Sequence, residues 1–150
     1  MSRRSTDHGS FVVTRTYDAS PQRTFGAWAD PKAKARWFGG GQSEFDLDFR
    51  VGGVERHSGT APDGRAYRFH GRYHDIVPNE RIIYSYEMFI DDVRISVSLA
   101  TVEFKPEGDG TTLVFTEQVA FLDELETIES REGGTGGLLD ALGEELAADL

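Results

Sequence analysis

An α+β fold, in which a curved antiparallel sheet of about seven strands wraps a long C-terminal helix, follows from three features of the 150-residue sequence. Two helix starts, Ser20-Pro21 and Asp30-Pro31, come soon after one early strand. Two-residue alternation broken by turn chemistry then fills the chain from Ser43 to Phe121. The last segment places Leu138, Leu139, Leu142 and Leu146 at helical spacing. A sheet with one apolar face must bury it, and the final helix is the element long enough to cover it.

The elements follow in order. Residues 1–9 read as a flexible tail and residues 10–150 as one domain, the length being that of a single core. Phe11 to Tyr17 form the first strand. Ser20 and Asp30 are N-cap residues, each followed by proline at the first helical position. They predict helices over Pro21 to Ala29, with Phe25, Trp28 and Ala29 inward, and over Pro31 to Trp37, the second stopped by Gly39-Gly40-Gly41. Phe45, Leu47 and Phe49 then alternate with charged residues, as in a half-buried strand. Gly52-Gly53 turns the chain into a strand over Val54 to Thr60, and Pro62-Asp63-Gly64 into another over Arg65 to Val77. Tyr67, Phe69, Gly71 and Tyr73 take its core side. Strands over Ile82 to Phe89, Val93 to Phe104 and Thr111 to Phe121 are separated by Asp91-Asp92 and by Glu107 to Gly110. The terminal helix runs from about Thr135 to Leu150, after a glycine cluster at 133, 134, 136 and 137 that suits either a hinge or a close approach to the sheet.

Composition removes several function classes. Without cysteine there is no disulfide and no thiolate metal site. His70 and His74 are four apart on a strand, which separates them by about 13 Å and rules out a shared metal. No metal and no other cofactor is expected. Residues 121–150 carry nine acids against Arg131 alone, −8 of the net −10, and no basic stripe marks a nucleic-acid partner. The acidic segment itself reads as a solvated helix face. No apolar stretch approaches the roughly 20 residues of a membrane span, and the N-terminus has no secretory pattern. Cytoplasmic localisation is the resulting expectation.

Several stretches resemble one family: R-T-Y-D-A-S-P from Arg15, R-W-F at Arg36 to Phe38, R-V-G-G at Arg50 to Gly53, P-D-G at Pro62 to Gly64, the run from His70 to Tyr84, and G-T-T-L from Gly110. Through them the chain resembles the START-like helix-grip (SRPBCC) superfamily over residues 10–150, in the branch of activator of heat-shock-protein-90 ATPase homologues, often labelled polyketide cyclase-like. The resemblance implies the helix-grip fold and a cavity between sheet and long helix that holds a hydrophobic or amphipathic ligand. Fold alone does not choose among chemistries.

Strand phase nominates the polar groups of that cavity. If Leu113 and Phe115 face inward, so does Glu117. Aligning Glu55 with an aromatic position of relatives turns Glu55 and His57 inward; the opposite phase, with Val54, Arg56 and Ser58 inward, stays open. The candidate ligand-binding residues are Trp37, Glu55, His57, Tyr67, Tyr73, Tyr86, Phe115 and Glu117, and no catalytic residue is assigned. These side chains either meet a ligand or satisfy one another within the core. Two alternatives stand beside ligand binding: a cyclase, dehydratase or isomerase using the cavity Glu, His or Tyr as acid and base, and a chaperone-associated or other protein-interaction module. In the strand from Val93, either Ile95, Val97 and Leu99 form an outer stripe for a homodimer, or a bulge swaps the phase midway.

Overall fold

The computed structural model describes residues 4–38 and 42–148. Its elements, in chain order, are β1 (Thr6–Tyr17), α1 (Pro21–Ala29), α2 (Pro31–Trp37), β2 (Gln42–Leu47), β3 (Val54–Thr60), β4 (Ala66–Val77), β5 (Arg81–Ile90), β6 (Val93–Glu107), β7 (Gly110–Leu122) and α3 (Ile128–Ala148). The seven strands form one antiparallel sheet in the order β1-β7-β6-β5-β4-β3-β2. β7 returns beside β1, so the first strand sits at one edge and β2 at the other.

Local chemistry explains the joints. Ser20 accepts a hydrogen bond from the Arg23 amide at 3.1 Å, and Asp30 accepts one from Lys32. Asp30 also ends α1, because a residue before proline is pushed out of the helical region. The triple glycine expected to stop α2 lies outside the described residues. At Gly53 a side chain would collide with the Asp48 carbonyl, and Gly52 has φ +83°. Asp91 and Asp92, with φ 48° and 65°, close the β5–β6 hairpin in the left-handed conformation that tight hairpins demand.

α3 covers the inner face of the sheet. Leu139, Leu142 and Leu146 are buried, while Leu138 is only partly so. The Tyr17 hydroxyl donates to the Leu139 carbonyl at 2.7 Å, and Arg15 and Arg36 pair with Asp140 and Glu145, both at 2.7 Å. The helix is therefore tied to β1 and α2 at several heights. Trp28, with its ring 4.8 Å from that of Trp37, anchors the two short helices in the same core.

Three expectations are corrected. Residues 6–9, expected in a flexible tail, pair with β7, Thr6 standing opposite Leu122. α3 starts at Ile128 and not at Thr135: Thr127 accepts from the Ser130 amide, and the buried Arg131 anchors the first turns, so tertiary contacts override four poor helix formers. The glycine cluster lies inside the helix, and within it only Gly136 approaches another part of the chain, the Arg15 guanidinium. In β6, Ile95 is the extra residue of a bulge, since Met88 pairs with Ser96 and Phe89 with Arg94. The phase swaps there. Ile95 and Ser96 are both buried, so Ile95 leaves the expected outer stripe, while Val97 and Leu99 stay on it, 41% and 38% exposed.

Candidate functional site

Between α3 and the sheet lies a cavity of about 560 Å³. Its walls come from Trp28 of α1, Trp37 of α2, His57 of β3, Tyr67 and Phe69 of β4, Tyr84, Tyr86 and Met88 of β5, and Phe115 and Glu117 of β7. Ser130, Arg131, Gly134, Thr135, Leu138 and Leu139 of α3 close it, at the spacing of one helix face. Ala61, Pro62 and Arg65 border it from the β3–β4 hairpin, and Leu125 to Thr127 from the β7–α3 connection.

Of the eight residues nominated from sequence, Trp37, His57, Tyr67, Tyr86, Phe115 and Glu117 reach this cavity. Glu55 and Tyr73 do not; they lie in a sealed cluster apart from its wall. The Lys34 ammonium sits 2.6 Å from Glu55 Oε1 and donates to the Tyr73 hydroxyl at 3.1 Å, and Tyr73 donates to the same Glu55 oxygen. Lys34 is wholly buried, and its third side faces the Phe38 ring at 4.3 Å. Burial alone raises the pKa of Glu55, but the adjacent ammonium and its hydrogen bonds win and hold it down to about 2. Burial lowers the Lys34 pKa against the pull of Glu55, and Glu55 Oε2 has no hydrogen-bonding partner among the described residues.

His57 lies between this cluster and the cavity. Its ring stacks on Phe69 at 4.5 Å and on Phe45 at 5.0 Å. Burial lowers its pKa against the pull of Glu55, so it is neutral at neutral pH. Nε2 is 3.4 Å from Glu55 Oε2 without hydrogen-bond alignment, and neither ring nitrogen has a hydrogen-bonding partner among the described residues.

The second cluster opens on the cavity. Glu117 is fully buried on β7, and its Oε2 accepts from Ser98 at 2.7 Å, Tyr86 at 2.8 Å and Arg131 at 3.2 Å. Arg131 is spent in turn: Nε and Nη2 donate to the two oxygens of Glu126 at 2.8 and 2.9 Å, Nη2 also to Ser96 at 2.7 Å, and Nη1 to Tyr86, Ser98 and Glu117. Glu117 Oε1 has no partner among the described residues, nor do the Tyr67 hydroxyl and the Trp28 indole nitrogen. Burial raises the pKa of Glu117 despite Arg131 and its hydrogen bonds.

Sequence reasoning passed over Lys34, Arg131, Glu126, Ser96 and Ser98. A signal existed for most of them. Lys34 stands three residues before Trp37, hence on its inner helical face, and Arg131 is the lone cation of an acidic segment. An outer stripe at Val97 and Leu99 already turns Ser96 and Ser98 toward the cavity side; their bonds to Arg131 and Glu117 join distant segments and have no signal along one strand.

A family model described as activator of Hsp90 ATPase homolog 1-like protein matches residues 18–147. No curated protein matches the chain. Among solved structures, a protein from Rhizobium leguminosarum is 43% identical with a TM-score of 0.93, covering 98% of this chain and 99% of its own. One from Rhizobium loti is 46% identical with a TM-score of 0.87, covering 94% and 99%. A protein from Chromobacterium violaceum is 26% identical with a TM-score of 0.73, covering 91% and 96%. With its sheet, its two short helices and its gripped C-terminal helix all in place, the chain belongs to the activator of Hsp90 ATPase homologue 1-like family of the START-like helix-grip superfamily.

Proposed function

We propose that the protein binds a small, largely apolar molecule, hydrophobic or amphipathic, in the cavity between the sheet and α3. What supports this is the coincidence of space with unspent chemistry: about 560 Å³ walled mainly by aromatic side chains, with four side chains on that wall each leaving a buried polar atom without a partner among the described residues. Cavities of this size and lining are typical of small-molecule sites. Leaving buried polar atoms unpaired costs about 1–3 kcal/mol each, a cost that a bound molecule recovers.

Native mass spectrometry of freshly purified protein, followed by denaturing extraction, tests the reading. A reproducible added mass is expected for the wild type and is lost in Gly134→Leu, whose new side chain enters open space on the cavity wall. An added mass that survives this substitution places the molecule elsewhere.

One observation favours a second reading, acid–base catalysis in the same cavity. Glu117, a residue of the cavity lining, combines an unpartnered oxygen with a pKa raised by burial, which suits a proton-exchanging group. Turnover of an aromatic polyketide with a pH–rate limb that disappears in Glu117→Gln is the expected sign; a pH-independent rate eliminates it.

A further inference from the structure

A buried arginine at the end of an apolar cavity suggests a receptor for fatty-acid or phosphate head groups, and in this chain the hydrogen bonds say otherwise. Arg131 has five N–H donors, and they are absorbed by Glu126, Ser96, Tyr86, Ser98 and Glu117. No N–H remains for an incoming anion. Lys34 is likewise committed, to Glu55 and Tyr73. What this end of the cavity offers is Glu117 Oε1, an unpartnered acceptor on a fully buried residue.

Charge points the same way. Glu117 and Glu126 face the one guanidinium, so the polar end carries an excess of negative charge. Arg65, at the mouth, is held by Asp63 at 2.7 Å. The other unpartnered groups on the cavity wall, the His57 ring, the Tyr67 hydroxyl and the Trp28 indole, are uncharged. They suit a carbonyl or ether oxygen and do not offset the desolvation of a buried carboxylate.

We infer that the cavity selects ligands headed by a hydrogen-bond donor, a hydroxyl or an amine on an aromatic body, seated on Glu117 Oε1, and rejects carboxylates and phosphates. This rests on the proposed binding function and narrows it to a chemical class. A hydrogen bond to a charged acceptor in a dry site distinguishes donor-headed from headless ligands by about tenfold or more.

The test uses four probes of one ring system, naphthalene, naphthol, naphthylamine and naphthoate, with affinities from equilibrium dialysis on the intact protein. Naphthol and naphthylamine are expected to bind about tenfold tighter than naphthalene, and naphthoate more weakly than naphthalene. In Glu117→Gln the amide oxygen takes over the three internal bonds and turns its NH2 toward the cavity. The affinity advantage of naphthol and naphthylamine over naphthalene should vanish in this variant, and a Tm near that of the wild type reports an intact fold. Equal affinity for all four heads, or naphthoate binding as tightly as naphthol, overturns the donor-head inference and leaves the cavity reading standing. Failure of all four, naphthalene included, overturns the cavity reading itself.

Discussion

The two buried ionic clusters each join a glutamate to a cation and a tyrosine, and only one of them borders the cavity. Around Glu55, one lysine and one tyrosine bond a single oxygen, the other oxygen has no hydrogen-bonding partner among the described residues, and the residue lies off the cavity wall. Around Glu117, three donors converge on one oxygen and leave the other unpartnered, on a residue that lines the cavity. A buried charge is therefore no guide to a binding site. Nor is an unpaired buried oxygen, which both glutamates keep; what distinguishes Glu117 is that it also lines the cavity.

The largest expected effect breaks the sealed cluster. Glu55→Gln strands the wholly buried Lys34 ammonium, and urea unfolding should record a loss of about 3–5 kcal/mol. Glu117→Gln should cost about 1 kcal/mol or less, because the amide still accepts from Tyr86, Ser98 and Arg131 and Glu126 still neutralises Arg131. Equal losses at the two glutamates would mean that the clusters do not differ energetically.

Acid separates the clusters next. Glu55 is depressed in the folded state, from 4.5 to about 2, so its stabilisation is complete above 4.5 and is lost as pH falls toward 2, a loss on the order of 3 kcal/mol. His57 is also depressed, from 6.5, so the folded state resists its protonation and stability begins to fall below that pH. Glu117 has the opposite sign: its raised pKa means that the folded state takes up this proton before the unfolded chain does, which offsets part of the acid loss. Unfolding midpoints measured across pH should fall more steeply for Glu117→Gln than for wild type, since the variant keeps the first two losses without the offset. Parallel profiles would contradict this sign.

How much of this was legible in advance varies with the physics behind each feature. Helix starts at Ser20-Pro21 and Asp30-Pro31 rest on local capping, and α1 and α2 fall where those residues place them. Strand phase likewise turned Glu117 inward, and it placed Glu55 and His57 correctly with help from the family resemblance. The misses share one cause, local signals overridden by distant contacts. Four glycines mark a break in any isolated helix, yet α3 runs through them because Arg131 and Ile128 find partners on the sheet side of the chain. The bulge at Ile95 carries no turn residue and is fixed by pairing with β5. Which oxygen of Glu117 is paired depends on Ser98 and Arg131, 19 and 14 residues away, and no pattern along one strand encodes that.

The smallest effect sharpens the comparison at the helix that carries the open cluster. Gly133 and Gly137 are exposed, and a methyl group at either meets nothing within 4 Å. Alanine there should stabilise by about 0.5–1 kcal/mol each, through helix propensity alone. Gly134 has the same open surroundings but borders the cavity. Gly134→Ala should raise Tm as much as the other two and, unlike them, weaken naphthalene binding, because its methyl group takes ligand space. If all three alanines raise Tm and leave binding alike, the first turns of α3 do not touch the ligand; if none raises Tm, the glycines are kept for a backbone geometry that regular helix does not satisfy. The predicted pattern, equal stabilisation with binding lost at 134 only, would mean that the weakest stretch of α3 is tolerated because it leaves room beside Glu117, and that Arg131 holds the helix closed where propensity does not.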